Sequence, residues 1–148
     1  MTVRKGMNAD IPKIGALWLA LVNEITPRSR PNLAWWLDDT FDLMDYEAGY
    51  LCYVAEEAGD IIGFTDGVVM KDPGMGKVVF YSRHTSIVPE HRHGETVKEL
   101  FGAISRDARA QGAESAVFCC DNSLIGYWQG IGYKQIEAVM EGSLYGNG

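Results

Sequence analysis

The sequence predicts an α/β protein whose sheet is mixed but mostly antiparallel, with one parallel pair of strands joined by a central helix and helices on both faces. Three observations carry this. Between residues 78 and 110 the apolar pattern changes period: 78–88 is largely β-branched or aromatic without Gly or Pro, Pro89 interrupts it, and Val97, Leu100, Phe101, Ile104 and Ala108 then follow helical spacing. A compact apolar run at 115–120 follows that helix, and a strand, helix, strand order implies parallel pairing through a right-handed crossover. Two further strand-like runs, 50–56 and 61–70, flank Ala58-Gly59-Asp60, a hairpin signal.

The remaining elements follow in order. Residues 2–5 form a short first strand. Asp10 is expected as an N-cap with Pro12 in the first turn, and Ile11, Ile14, Leu17, Trp18, Leu21, Val22 and Ile25 make one apolar stripe of a helix ending near Thr26-Pro27. A second helix is expected over 32–46, with Leu33, Trp36, Leu37, Phe41 and Met44 inward and Asp38, Asp39, Asp42 and Asp45 on a solvated face. Of the neighbours Trp35 and Trp36, a helix buries one more easily than both, so one of them is open to a pocket-lining role; the alternative, which carries more weight, is two core residues between packed helices. Gly63 and Gly67 inside the 61–70 strand suggest a bulge or a close backbone approach. Residues 71–77 read as a loop, Gly112 as the residue ending the long helix, 122–129 as a short helix capped by Asp121 or Asn122, and 133–144 as one or more closing strands.

A chain of 148 residues is long enough to bury a core, and residues 1–148 are expected to form one domain. The formal net charge of −7 argues against a general nucleic-acid binder. No apolar run has the length of a membrane span and the N-terminal stretch lacks a signal-peptide core, so a cytoplasmic protein is expected. Cys52, Cys119 and Cys120 make no CxxC pair, which points to reduced core or near-core thiols rather than a disulfide framework or zinc site.

The turn after 78–88 carries His91, Arg92, His93 and Gly94. A strand-to-helix turn aims free backbone N–H groups and the positive end of the helix dipole at one spot, which favours an anion such as a phosphate; the alternative is a connection whose basic residues are merely solvated.

Three stretches taken together, the Ile87-to-Arg92 sequence IVPEHR, the long helix running into ARAQGAESAVF, and YWQGIGY from Tyr127 to Tyr133, resemble the GNAT superfamily of acyl-CoA-dependent acyltransferases. The resemblance covers nearly the whole chain. It implies acetyl-CoA as acyl donor, with backbone groups of Ile87 and Val88 facing pantetheine and the turn formed by Arg92, His93, Gly94 and Thr96 facing pyrophosphate. Asn122 and Trp128 are expected at the cofactor on the same grounds. The chain departs from the family at the two small positions counted from Arg92, which hold Glu95 and Val97. A carboxylate facing phosphates is repelled, whereas the same Glu95 is well placed as a first-turn acid if no phosphate binds.

Transfer from a thioester to an amine needs the amine neutral and gains from a proton donor at the departing thiolate. The resemblance points to His84, four residues before Val88, as the base, and strand alternation puts Ser82, His84 and Ser86 on one face. The alternative for His84 is a hydrogen-bonded histidine on a half-buried strand. The family's acid tyrosine falls on Trp128 here, and Tyr127 is the neighbouring phenol. No Cys or carboxylate completes a metal-ligand spacing with His84, His91 and His93, so no metal site is expected. Two functions remain open: an N-acetyltransferase acting directly on a small-molecule or peptide amine, or a GNAT-fold module that binds a ligand or partner without catalysis. Acidic residues such as Asp38, Asp39, Asp42, Asp45, Glu56, Glu57 and Asp66 lean faintly toward a cationic acceptor, and exposed closing-strand edges toward a homodimer.

Overall fold

The computed structural model describes residues 1–25, 30–92, 94–120, 124–137, 140 and 142–144. In chain order its elements are β1 (Thr2–Lys5), a 3-10 turn (Asn8–Asp10), α1 (Ile11–Ile25), α2 (Leu33–Tyr46), β2 (Tyr50–Glu57), β3 (Asp60–Asp72) and β4 (Lys77–Ile87). A second 3-10 turn (Pro89–His91), α3 (Glu95–Ala110), β5 (Ser115–Val117) and α4 (Ile125–Gly130) follow. The five strands form one sheet in the order β1-β2-β3-β4-β5, antiparallel except for the parallel pair β4 and β5. This is the predicted mixed α/β architecture.

Side-chain alternation along the strands divides the core in two. Cys52, Val54 and Phe64 pack against Ile11, Ile14 and Trp36 of α1 and α2. Leu51, Ala55, Ile62, Phe80 and Ile87 face the other way, onto Leu100, Ile104 and Ala108 of α3. The β2–β3 hairpin turns on Ala58 and Gly59, both with positive φ (51° and 83°), as a two-residue turn between twisted strands requires. At Gly67 a Cβ would fall 2.6 Å from the Phe80 ring and against the Tyr81 carbonyl, so the close approach expected of this glycine is real.

Four expectations change. Asp10 does not cap α1; it closes the 3-10 turn leading into it, accepting from the Met7 N–H at 2.8 Å and from both Arg4 Nη atoms at 2.8 and 3.0 Å. β5 stops at Val117 rather than 120, because Phe118 leaves the sheet to meet Trp128 and Tyr133 edge-on at 4.7 and 5.1 Å, and Cys119 is consequently exposed rather than near the core. Among the described residues of 133–144 there is no closing strand, and the three-residue β5 offers little edge for one to pair with. The short last helix begins at Ile125, and the expected caps Asp121 and Asn122 lie outside the described residues.

The Arg4–Asp10 pair ties β1 to the start of α1, and the hydrogen bond from Arg4 holds the Asp10 carboxyl below the ordinary carboxylate range against the opposing effect of burial. A depressed folded pKa means the stabilisation is full above the unfolded value of about 3.9 and is lost as pH falls through the folded one. Asp10→Asn is expected to cost about 2 kcal/mol at pH 6. The loss of stability between pH 6 and pH 3, measured by urea unfolding, should be smaller in Asp10→Asn than in wild type; an equal loss would show that Asp10 is not one of the groups responsible.

Candidate active site

The site is organised by an irregularity in β4. Asp66 of β3 pairs with His84 but its neighbour Gly67 pairs with Ser82, so Arg83 is an extra residue, a β-bulge. In a regular strand Arg83 and His84 would point to opposite faces. At the bulge both reach the α1/α2 side: the Arg83 guanidinium lies 5.3 Å over the Trp36 ring, and the His84 ring meets Trp18 and Trp36 at 6.1 and 5.9 Å. Phe80 packs toward α3, and alternation puts Ser82 there too, so Ser82 does not share the face of His84 as regular alternation suggested. Ser86 does lie beyond the bulge with His84, buried, its hydroxyl without a partner among the described residues.

Beneath His84 lies Asp66, whose side chain is 0% exposed. Its Oδ2 accepts from the Tyr50 hydroxyl at 2.6 Å and Arg83 Nη1 at 2.7 Å, and its Oδ1 accepts from the His84 backbone N–H at 3.0 Å. His84 Nδ1 is 3.6 Å from the same Oδ1, too long for a hydrogen bond, and has no hydrogen-bond partner among the described residues. Arg83 also donates to Asp39 and Thr40 of α2, at 2.9 and 3.1 Å. Burial, and next the Asp66 charge, push the Tyr50 phenol far above its ordinary pKa, so it remains a donor. Burial pushes the nearby Cys52 thiol up to about 12, which keeps it protonated and a poor nucleophile at neutral pH.

The bulge also ends the parallel ladder. β4 pairs with β5 only through Val79, Phe80 and Tyr81, and then runs on to Ile87 with no strand on that edge among the described residues. Val88 N–H goes to Ile62 O at 2.9 Å on the β3 side, so by alternation the groups of Ile87 and Thr85 face the open edge, where Ile87 O already accepts from Arg92 Nε at 2.9 Å. Past the 3-10 turn, Gly94 precedes α3 and supplies no side-chain cap for the first-turn N–H groups.

The expected phosphate turn is only partly assembled. Arg92 makes a two-pronged ion pair with Glu24 of α1, both bonds 2.7 Å, which holds its guanidinium still further above its already high pKa. Thr96 is buried with its hydroxyl on the Met1 sulfur, so it does not face the turn. Glu95 leans toward Lys98 at 3.5 Å on the exposed surface, and His93 lies outside the described residues. His91 pairs with Glu57 at 3.2 Å and is not brought to His84. No group of three or more His, Cys, Asp or Glu side chains suited to a metal occurs among the described residues.

Trp128 is the centre of an aromatic cluster, edge-on to Phe101, Phe118, Tyr127 and Tyr133 at 4.7–5.9 Å. It closes the end of the sheet beside α3. Tyr127 keeps 57% of its surface exposed. On the opposite side, Trp18, stacked on Trp36 at 5.3 Å, joins Arg30, Asn32 and the exposed Trp35 around an open groove of about 480 Å³, so both neighbouring tryptophans line it although only Trp36 is core. Sequence reasoning named Asp66 only among acids leaning toward a cationic acceptor and Trp18 only on the apolar stripe of α1, and it singled out neither Arg83 nor Tyr50. The available signal was a carboxylate inside an otherwise apolar strand, next to Gly67.

No family model matches the chain. It is 27% identical over 111 residues to Probable N-acetyltransferase family 8 member 5 of Mus musculus, covering 70% of this chain and 49% of that one. It is 28% identical over 102 residues to N-acetyltransferase family 8 member 2 of Rattus norvegicus, covering 64% and 45%. The chain thus spans about half the length of the curated relatives it matches. Among solved structures, a Clostridium acetobutylicum protein described as a predicted acetyltransferase and solved with acetyl-CoA superposes with a TM-score of 0.81 at 14% identity, over 97% of this chain and 96% of that one. An aminoglycoside acetyltransferase from an uncultured soil metagenomic sample, in complex with sisomicin, gives 0.68 at 17% identity over 95% and 92%. The chain thus shares the fold of solved acetyltransferase structures and is similar in sequence to N-acetyltransferases of family 8.

Proposed function

We propose that the protein is an N-acetyltransferase that passes the acetyl group of acetyl-CoA directly to an amine of a small molecule or peptide. The observation that carries this reading is that, among the described residues, the edge of β4 beside His84 has no partner strand and leads, through one turn, to a helix with no side-chain cap on its N-terminal N–H groups. An extended amide chain can add hydrogen bonds along such an edge, and a diphosphate is favoured at such a helix start. The backbone of Ile87 at the open edge, the turn at Arg92, His93 and Gly94 with the first N–H groups of α3, and Asn122 and Trp128 are the proposed cofactor contacts; the Val88 N–H and the Thr96 hydroxyl are already engaged elsewhere.

His84, its ring 28% exposed against the Trp18–Trp36 stack, is the proposed base. It takes the proton of the amine as nitrogen attacks the thioester carbonyl; the C–S bond breaks and the thiolate leaves with a proton, for which Tyr127 is the candidate donor. With Cys52 buried and its thiol raised, transfer without a covalent enzyme intermediate is the consistent route. The acceptor is not specified beyond its amine.

The second reading, a binding module without catalysis, draws on one observation: Arg92 is already neutralised by Glu24 while Glu95 stands at the start of α3. The two readings separate in calorimetry. CoA and acetyl-CoA should bind and raise the melting temperature, and Glu95→Gly should bind more tightly by removing a like charge. Absence of any thermal shift at millimolar ligand, in wild type and Glu95→Gly alike, would remove the cofactor.

Kinetics with an accepted amine tests the base. His84→Ala should lower turnover by roughly a hundredfold or more at neutral pH with CoA affinity nearly unchanged, and Tyr127→Phe should have the smaller effect. Full activity in His84→Ala with a large loss in Tyr127→Phe would reverse these roles, and an inactive wild type across a broad amine panel would favour the binding module.

A further inference from the structure

We infer that Asp66 is a positioning residue for His84: clamped by Tyr50 and Arg83, its carboxylate fixes the ring's tautomer and supplies the negative charge that an imidazolium at this place needs. The inference rests on the reading of His84 as the base and goes beyond it, since nothing in the family resemblance assigns a role to β3.

A carboxylate with no exposed surface in the middle of a strand is costly unless its oxygens are satisfied. Here three donors converge on it, from β2 (Tyr50) and from both bulge residues of β4. Those bonds leave no freedom to turn the carboxylate, and they aim Oδ1 at His84 Nδ1. A proton on Nδ1 therefore faces an anion, which leaves the other ring nitrogen as the acceptor for the amine proton. When the ring becomes positive, a small closure of the 3.6 Å gap converts proximity into a charge-assisted hydrogen bond.

The surrounding charges support this sign. From α1 the ring meets uncharged Trp18; from α2 it meets Trp36, with Asp39 one step away through Arg83. From β2 come Tyr50 and Cys52, both kept neutral by burial, and β4 itself adds Arg83. One cation between two carboxylates leaves a single net negative charge beside His84, which a protonated ring neutralises. A merely structural role for Asp66, pinning the bulge, would require the backbone N–H and Arg83 bonds but would leave the ring's titration unaffected.

The experiment follows the His84 ring nitrogens by 15N NMR against pH in the free protein, with kinetics alongside. In wild type the neutral ring should carry its proton on Nδ1. Asp66→Asn should move the His84 titration, and the acid limb of kcat, to lower pH, and lower kcat about tenfold or more with little change in KM for the amine. Arg83→Gln should move the same titration upward, which keeps the inference testable if Asp66→Asn does not fold. Ring titrations unmoved in the folded variants, or a wild-type proton on Nε2, would overturn the inference. Because the NMR arm needs no substrate, an inactive wild type would defeat the proposed function without deciding the Asp66–His84 coupling.

Discussion

The single extra residue at Arg83 is the constraint on which the working end of the molecule depends. It turns two consecutive side chains to one face of the sheet, and it coincides with the end of the β4–β5 ladder one or two residues earlier. A bulged strand twists and bends locally, so a neighbour that was parallel before the bulge is hard to keep in register after it. The unpaired edge and the inward histidine are therefore two results of one backbone event.

Holding that event in place takes charge as well as packing. Arg83 is wedged between Asp66 beneath it, Asp39 and Thr40 of α2 beside it, and the Trp36 face below its guanidinium. Breaking up such a buried pair by removing one partner strands the other charge, a penalty of about 3–5 kcal/mol, so the bulge, α2 and the Trp18–Trp36 stack are one coupled unit. The groove beside them inherits rigidity from that unit along the Trp36 wall, while Trp35 and Arg30 give it an exposed rim.

The turn before α3 is balanced differently. Arg92 reaches back to the Ile87 carbonyl and sideways to Glu24, linking the turn before α3 to the end of α1. The Glu24 contact is exposed to solvent, which screens the ion pair, so an anion at the turn competes with it on modest terms. The helix N-terminus and the β4 edge remain open whichever partner Arg92 keeps.

Most of the fold was legible from the chain itself because it follows from local pattern: the change of period across Pro89, the stripe from Ile11 to Ile25, the two-residue turn at Ala58-Gly59 and the apolar strands all depend on neighbours in sequence. His84 was singled out by the family resemblance, and the fold sets its ring against Trp18 and Trp36. Strand register was not legible, because it is a property of two chains of backbone at once; only the pairing of Asp66 with His84 and Gly67 with Ser82 reveals that Arg83 is the extra residue. From that follow the failure of simple alternation at Ser82 and the meeting of Tyr50, Arg83 and the His84 backbone N–H on Asp66. Likewise Arg92 looked free for phosphate until α1 brought Glu24 to it across 68 residues, and Thr96 looked available until the fold placed Met1 against its hydroxyl. Sequence by itself determined the elements and the chemistry available to them; tertiary pairing decided which of those groups meet, because charge and register act between segments the sequence keeps far apart.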